Sequence, residues 1–159
     1  MNFFGKNISL IIYDFDGVMT DNRALIFENG DEAVFINRSD GLAIQKIKEL
    51  NVDQIIISSE KKSIVKKRAE KLGIIAFNSV EDKVEELIKY VNEKNIKINE
   101  CAFLGNDLND LPLMEKVALK IAPIDAAKEI LEIADYVINV KGGHGVIREL
   151  YSKLIMEKK

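Results

Sequence analysis

With 159 residues, 47% of them hydrophobic and 31% charged, the chain has material for one hydrophobic core over residues 1–159 and a composition that is neither disordered nor fibrous. Its 23 basic and 26 acidic residues leave a formal charge of −3 with no aromatic-interleaved basic stripe, which disfavours nucleic acid as a partner; its apolar runs fall far short of the ~20 residues of a membrane helix and its N-terminus has no secretory pattern, so a cytoplasmic protein with no membrane partner is expected. One cysteine, Cys101, and one histidine, His144, exclude an internal disulfide and argue against a cysteine zinc cluster or a serine-histidine triad, leaving chemistry to carboxylates, lysines and hydroxyls.

The first apolar run, Ile8 to Tyr13, has strand length. Two short strand-like runs follow, Arg23 to Glu28 and Ala33 to Asn37, around the turn dipeptide Asn29-Gly30, which predicts a projecting hairpin. Helical periodicity over Leu42 to Leu50, a strand at Gln54 to Ile57, a helix over Ile64 to Leu72 and a strand at Ile74 to Phe77 come next. Lys61-Lys62 and Lys66-Lys67 read as the solvated face of a helix. Val84, Leu87, Ile88 and Val91 share one face of a third helix, Cys101 to Leu104 is a strand, and Leu111 to Lys116 a short helix. Strands at Val117 to Ile121 and Tyr136 to Ile138 flank a helix near Asp125 to Ile133, and a last helix runs from about Val146 to Met156. Uniformly apolar strands alternating with helices predict a Rossmann-like three-layer α/β/α fold with a mostly parallel sheet covered on both faces. No repeat, linker or low-complexity stretch divides the chain.

In an open parallel sheet, ligands bind beyond the carboxyl ends of the strands. Four such places carry polar groups: Asp14-Phe15-Asp16-Gly17-Val18-Met19-Thr20-Asp21, then Ser58-Ser59-Glu60, then Asp82-Lys83, then Gly105-Asn106-Asp107-Leu108-Asn109-Asp110. A capping box, a turn or a surface charge could account for any one alone. In this order they resemble the haloacid dehalogenase superfamily of phosphohydrolases over essentially the whole chain, and the Asp-x-Asp-Gly-Val-x-Thr run after an apolar strand is the specific part.

The resemblance implies Asp14 as nucleophile, forming an aspartyl phosphate, and Asp16 as the acid that protonates the leaving alkoxide and then the base that activates water. It implies Ser58 and Lys83 on the transferring phosphoryl group, and Mg²⁺ held by the Asp14 carboxylate, the Asp16 carbonyl and the residue after Gly105. That residue is usually aspartate in the family and is Asn106 here, so Asn106 and Asp107 both stand as ligand candidates. Asp110 reads as a cap of the following helix, as the residue that orients Lys83, or as a ligand.

Many members of the superfamily insert a cap domain, for which Asp21 to Ser58 and Ser58 to Lys83 leave no room. The capless branch it resembles forms homotetramers in which the hairpin builds a ring and a neighbouring protomer covers each site. Within that branch the resemblance is to phosphatases of 2-keto-3-deoxy sugar acid phosphates and to the related domain attached to some acylneuraminate cytidylyltransferases. It rests on Asp40-Gly41-Leu42, Arg68 to Gly73, Ala122-Pro123 and Gly142 to Glu149. It implies a substrate-binding set of Asn37, Arg38, Asp40, Gly41, Ser59, Glu60, Arg68, Lys71 and Arg148. Eight-carbon enzymes of the branch typically carry Ser/Thr-Gly-Arg where this chain has Ser58-Ser59-Glu60, and Glu60 with Arg68 and Lys71 is similar to the nine-carbon branch. A nine-carbon acid 9-phosphate is therefore expected over the eight-carbon 8-phosphate of lipopolysaccharide synthesis. The rival classes are a phospho-receiver domain, which would place its aspartate after a central strand, and a non-catalytic oligomerisation module.

Overall fold

A computed structural model describes residues 1–156. Two two-residue strands, β1 (Asn2–Phe3) and β2 (Lys6–Asn7), pair antiparallel at the N-terminus, a detail too short to announce itself by periodicity. Then come β3 (Leu10–Tyr13), β4 (Thr20–Ile26), β5 (Glu32–Ile36), α1 (Arg38–Lys48), β6 (Asp53–Ile57), α2 (Ile64–Leu72), β7 (Ile75–Phe77) and α3 (Lys83–Lys94). After these follow β8 (Cys101–Leu104), α4 (Leu111–Met114), β9 (Leu119–Pro123), α5 (Lys128–Ile133), β10 (Tyr136–Ile138) and α6 (Val146–Met156).

Six strands form a parallel sheet in the order β10-β9-β8-β3-β6-β7. Alternate side chains of a strand point to opposite faces. Ile11 and Tyr13 therefore pack with Ile44 and Ile47 of α1, Val65 of α2 and Leu150 of α6, while Leu10 and Ile12 pack with Leu87 of α3, Met114 of α4 and Ile130 of α5. Three layers result, α1, α2 and α6 on one face and α3, α4 and α5 on the other. The sheet grows from β3 towards β7 and then from β8 towards β10, so the strand order reverses beside β3. A crevice opens at its carboxyl end, where open sheets bind ligands.

The hairpin β4/β5 stands off this sheet as a separate antiparallel pair, with Ile26 opposite Glu32. Its turn closes through the Gly30 N–H donating to the Phe27 carbonyl (2.9 Å), with Gly30 at φ +83°, a conformation that glycine adopts without steric penalty. No cap domain is present among the described residues.

Several boundaries differ from the sequence expectation. α1 starts at Arg38 rather than Leu42 because Asn37 caps it, its Oδ1 accepting from the Ser39 N–H (2.9 Å). α5 starts at Lys128 rather than Asp125 because the Asp125 carboxylate instead accepts from the Gly142 N–H (2.9 Å). β9 lies two residues later than expected, and β4 begins at Thr20, before Arg23. α4 ends at Met114 rather than Lys116, and the Asp110 side chain does not cap it.

Candidate active site

The polypeptide leaves β3 with the Asp14 N–H donating to the Leu104 carbonyl (2.9 Å), which holds Asp14 at the mouth of the crevice. Asp14 is buried, and its Oδ1 accepts from Lys83 Nζ at 2.8 Å. Lys83 is the first residue of α3. The preceding Asp82 caps that helix through Oδ1, which accepts from the Val84 and Glu85 N–H groups, so the capped helix start aims the lysine at Asp14. The same ammonium donates to Asp110 Oδ1 at 2.7 Å, and Asp110 Oδ2 accepts from the Asn106 N–H (2.8 Å) and the Asp107 N–H (3.3 Å). Asp110 thus ties the lysine to the loop after β8. Of the readings for Asp110, orientation of Lys83 is the one the geometry supplies.

Burial, and next the nearby Asp110 charge, push the Asp14 carboxyl up to about 7 against the opposing pull of Lys83. Burial works against the charge of Lys83, but the Asp14 and Asp110 carboxylates outweigh it and raise its pKa. The Asp16 carboxyl is raised by burial, partly offset by a hydrogen bond from the Thr20 hydroxyl to its Oδ1 (3.1 Å). Thr20 Oγ1 also accepts from the Gly17 and Asn22 N–H groups (3.2 Å each), so it organises the loop that carries both aspartates.

The Asn106 carboxamide lies against the Asp14 carboxylate and the Asp16 carbonyl. With its NH2 turned towards them it donates to Asp14 Oδ2 (3.2 Å) and to the Asp16 oxygen (2.7 Å). With its oxygen turned the same way, three acceptors converge from a carboxylate, a carbonyl and a carboxamide, a donor set suited to a hard cation such as Mg²⁺. Among the described residues no group of three His, Cys, Asp or Glu side chains could hold a metal ion. The Asp107 carboxylate turns back to the Leu108 N–H (2.8 Å), so Asn106 is the one placed at these oxygens. Gly17 sits at φ +80°, and a Cβ there would overlap the Asn106 amide.

Ser58 follows β6 and is buried, its Oγ accepting from the Glu60 N–H (3.1 Å). Beyond Asp16 opens a cleft of about 650 Å³ between the hairpin and the start of α2, lined among others by Asp16, Arg23, Glu32, Glu60, Lys62 and Lys67. Of the expected substrate-binding residues, only Glu60 lines it. Ser59 and Arg38 are exposed, and Lys71 lies near the last turn of α2, beside Gln45 and Glu49 in a shallow groove.

The others gather at the α1–α2–α6 junction. The Asn37 carbonyl accepts from the Arg68 guanidinium (3.3 Å), Gly41 lies against Leu72 and Arg68, and Asp40 Oδ1 accepts from the Arg148 N–H (2.9 Å). Asp40 is only 2% exposed, and burial pushes its carboxyl up to about 6. Arg23, Lys62 and Lys67 are cleft residues that sequence reasoning missed. For the two lysines the signal was present in the Lys61-Lys62 and Lys66-Lys67 pairs, whose placement on a ligand-facing side needs the packing of α2.

The Asp14–Lys83–Asp110 chain thus lies at the switch point of a parallel sheet, where open α/β folds bind ligands. Comparisons with known proteins give the protein's family. Residues 74–150 match the family model described as haloacid dehalogenase-like hydrolase. The chain is 34% identical over 152 residues to the 3-deoxy-D-manno-octulosonate 8-phosphate phosphatase of Salmonella typhi, covering 95% of this chain and 81% of that protein. Among solved structures it superimposes on the 3-deoxy-D-manno-octulosonate 8-phosphate phosphatase of Yersinia pestis with a TM-score of 0.90 at 32% identity, covering 94% of this chain and 82% of the other. The Moraxella catarrhalis phosphatase of the same name, in complex with magnesium, phosphate and KDO, matches with a TM-score of 0.90 at 28% identity over 97% of this chain and 88% of the other. The chain belongs to the haloacid dehalogenase-like hydrolases, and it is a phosphatase.

Proposed function

We propose that this enzyme is a Mg²⁺-dependent phosphatase of a 2-keto-3-deoxy sugar acid phosphate, acting through an aspartyl phosphate on Asp14. The observation that carries the reading is the buried Asp14–Lys83–Asp110 chain beside the Asn106 amide. A phosphate monoester dianion repels nucleophiles, so a catalyst must place an anion against phosphorus while offsetting the charge on the equatorial oxygens. Asp14 attacks phosphorus through a carboxylate oxygen. The P–O bond to the sugar breaks, and Asp16 gives its proton to the leaving alkoxide. The raised pKa of Asp16 suits it to hold that proton. Asp16 then takes a proton from the water that hydrolyses the acyl phosphate and returns Asp14 to its starting form. Lys83 and the Ser58 hydroxyl donate to the phosphoryl oxygens. Mg²⁺ among the oxygens of Asp14, Asp16 and Asn106 would offset phosphate charge and align the phosphorus with Asp14.

The sugar acid reading rests on relatives whose names specify the eight-carbon substrate. A glutamate, Glu60, in the lining of the cleft accepts hydrogen bonds from sugar hydroxyls, and in place of a cation it favours the longer nine-carbon acid 9-phosphate over the eight-carbon compound. Arg68 and Lys71 line no part of this cleft within one protomer, so any contribution of theirs to the substrate comes from a neighbouring copy. We also place the enzyme in the cytoplasm as a homotetramer, in keeping with the free, buried thiol of Cys101 and the exposed apolar hairpin.

The test is phosphate release from both acid phosphates with and without Mg²⁺, by wild type and Asp14→Asn. We expect Mg²⁺-dependent release with higher kcat/KM on the nine-carbon compound, and a loss of at least about a thousand-fold in Asp14→Asn. A preference for the eight-carbon compound overturns the chain-length assignment. Comparable release by Asp14→Asn overturns the mechanism.

A further inference from the structure

We propose that Asp125 is a positioning residue for the Mg²⁺ site: its carboxylate fastens the glycine-rich tail to the loop after β9 and thereby holds Asn106 in register with the loop of Asp14 and Asp16. This rests on the reading of Asp14, Asp16 and Asn106 as the oxygens that hold the cation, and extends it to a residue outside that set. The three oxygens come from two different loops, one after β3 and one after β8. A carboxamide is neutral and is drawn to a cation less strongly than a carboxylate, so the placement of Asn106 has to come from the backbone around it.

That backbone closes a ring about the site. The Asn106 carbonyl accepts from the Ala127 N–H (2.8 Å), which joins the loop after β8 to the loop after β9. The loop after β9 is joined to the tail by the Ile124 N–H donating to the Val140 carbonyl (3.3 Å) and by Asp125 Oδ1 accepting from the Gly142 N–H (2.9 Å). The tail then returns to the aspartate loop, where Gly142 packs on the Gly17 carbonyl and the Gly143 N–H donates to the Val18 carbonyl (3.0 Å). Gly17 in turn lies against the Asn106 carboxamide, which completes the circuit.

Asp125 supplies the side-chain bond between the β9 loop and the tail among the described residues. Its position shows that the bond has a cost elsewhere. An acid three residues before Lys128 stands where it could cap α5, yet that helix starts from Ala127 with no side-chain cap. The carboxylate is turned instead to Gly142, a buried residue whose N–H would otherwise lose its acceptor beside the Gly17 carbonyl. Loss of that bond frees the tail from the β9 loop, and with it the support behind Gly17 and the fit of Asn106 against the Asp14 and Asp16 oxygens.

The experiment measures cation binding directly, by the loss of the free-ion electron paramagnetic resonance signal of Mn²⁺, an oxygen-seeking cation that shares the octahedral preference of Mg²⁺. It is run on wild type, Asp125→Ala, Asp125→Asn and Asp135→Ala, alongside the Mg²⁺ concentration for half-maximal phosphate release and melting temperatures in chelator. Asp135 is the control, because its carboxylate also accepts from a backbone N–H, that of Lys120 (2.9 Å), and from Lys6 Nζ (3.0 Å), but at the amino end of β10, away from the site. In Asp125→Ala we expect Mn²⁺ binding and half-activation by Mg²⁺ to weaken about tenfold, with kcat at saturating Mg²⁺ largely retained. Asp125→Asn keeps an oxygen for the Gly142 N–H and restores the affinity, while Asp135→Ala lowers the melting temperature and leaves the affinity at the wild-type value. The coupling is reciprocal, so Mg²⁺ added to wild type should slow hydrogen exchange at the Gly142 and Gly143 amides, a measurement that needs no variant. Wild-type affinity in Asp125→Ala, an equal loss in Asp135→Ala, or exchange at those amides that ignores Mg²⁺ overturns the role of Asp125 and leaves the Mg²⁺ site standing. A wild type that binds no Mn²⁺ and releases phosphate without Mg²⁺ overturns the reading of the site itself.

Discussion

Lys83 touches two carboxylates in a place that water barely reaches: its side chain is 3% exposed, and those of Asp14 and Asp110 are 7% and 0% exposed. A buried ion pair is weak evidence of net stabilisation, but removing one partner leaves charge without compensation. Lys83→Met is therefore expected to destabilise the metal-free protein by about 3 kcal/mol in chemical denaturation with a chelator present. An unchanged midpoint would mean that the three groups do not form a buried unit. Asp40 makes a different case. Its pKa is pushed up to about 6 by burial, above the usual 3.8, so between about pH 4 and pH 6 the native state holds more protons than the unfolded chain. Stability contributed through this group then falls as pH rises across that window, by up to about 3 kcal/mol. Asp40→Asn keeps an oxygen for the Arg148 N–H and removes the titration. Unfolding free energies measured at pH 4.5 and 7 should lie closer together in Asp40→Asn than in wild type; an identical pH slope in both proteins would remove Asp40 as its source.

At the scale of elements, what could be read from the sequence followed from how local each signal is. Strands β3 and β8 are buried throughout and are uninterrupted apolar runs such as Leu10 to Tyr13, β6 ends in one, Ile55 to Ile57, and the hairpin is announced by Asn29-Gly30. The parallel three-layer fold is as expected. Helix starts were less visible where the controlling contact is distant. Asp125 resembles a helix-start acid until the tail brings the Gly142 N–H to it from 17 residues away. Gly142 itself packs where a Cβ would overlap the Gly17 carbonyl, and the Gly143 N–H donates to the Val18 carbonyl (3.0 Å), so the glycine-rich tail braces the loop bearing Asp14 and Asp16. The acidic motifs after β3 and β8 are contiguous in sequence and were visible for that reason. The Lys83–Asp110 bond joins residues 27 apart, and the cleft facing of Lys62 and Lys67 depends on where α2 packs, which no local pattern encodes.

The whole molecule leaves apolar surface where a monomer has no use for it. Leu25, Ile26, Phe27 and Phe35 are 56%, 68%, 50% and 71% exposed, all on the hairpin β4/β5, which has no strand partner in the main sheet. Scattered single apolar residues on a surface are ordinary, but a cluster on one projecting element marks an interaction surface. The hairpin also forms one wall of the cleft beside Asp16 through Arg23, Glu32 and Val34, so whatever orders the hairpin also shapes the cleft. Self-association through it would bury these side chains and close an open, wet site, where water weakens electrostatic contacts with the phosphate. Assembly and activity should therefore fail together. Phe35→Glu places a charge on the hairpin away from Asp14, Lys83 and the cleft lining. In sedimentation velocity we expect wild type to run as a tetramer and Phe35→Glu as smaller species, with kcat/KM on the sugar acid phosphate lowered about tenfold or more. Wild-type activity should also fall on dilution as the assembly dissociates. A monomeric wild type with full, dilution-independent activity would show instead that one copy of the cleft is sufficient and that the hairpin's apolar side chains serve some other contact.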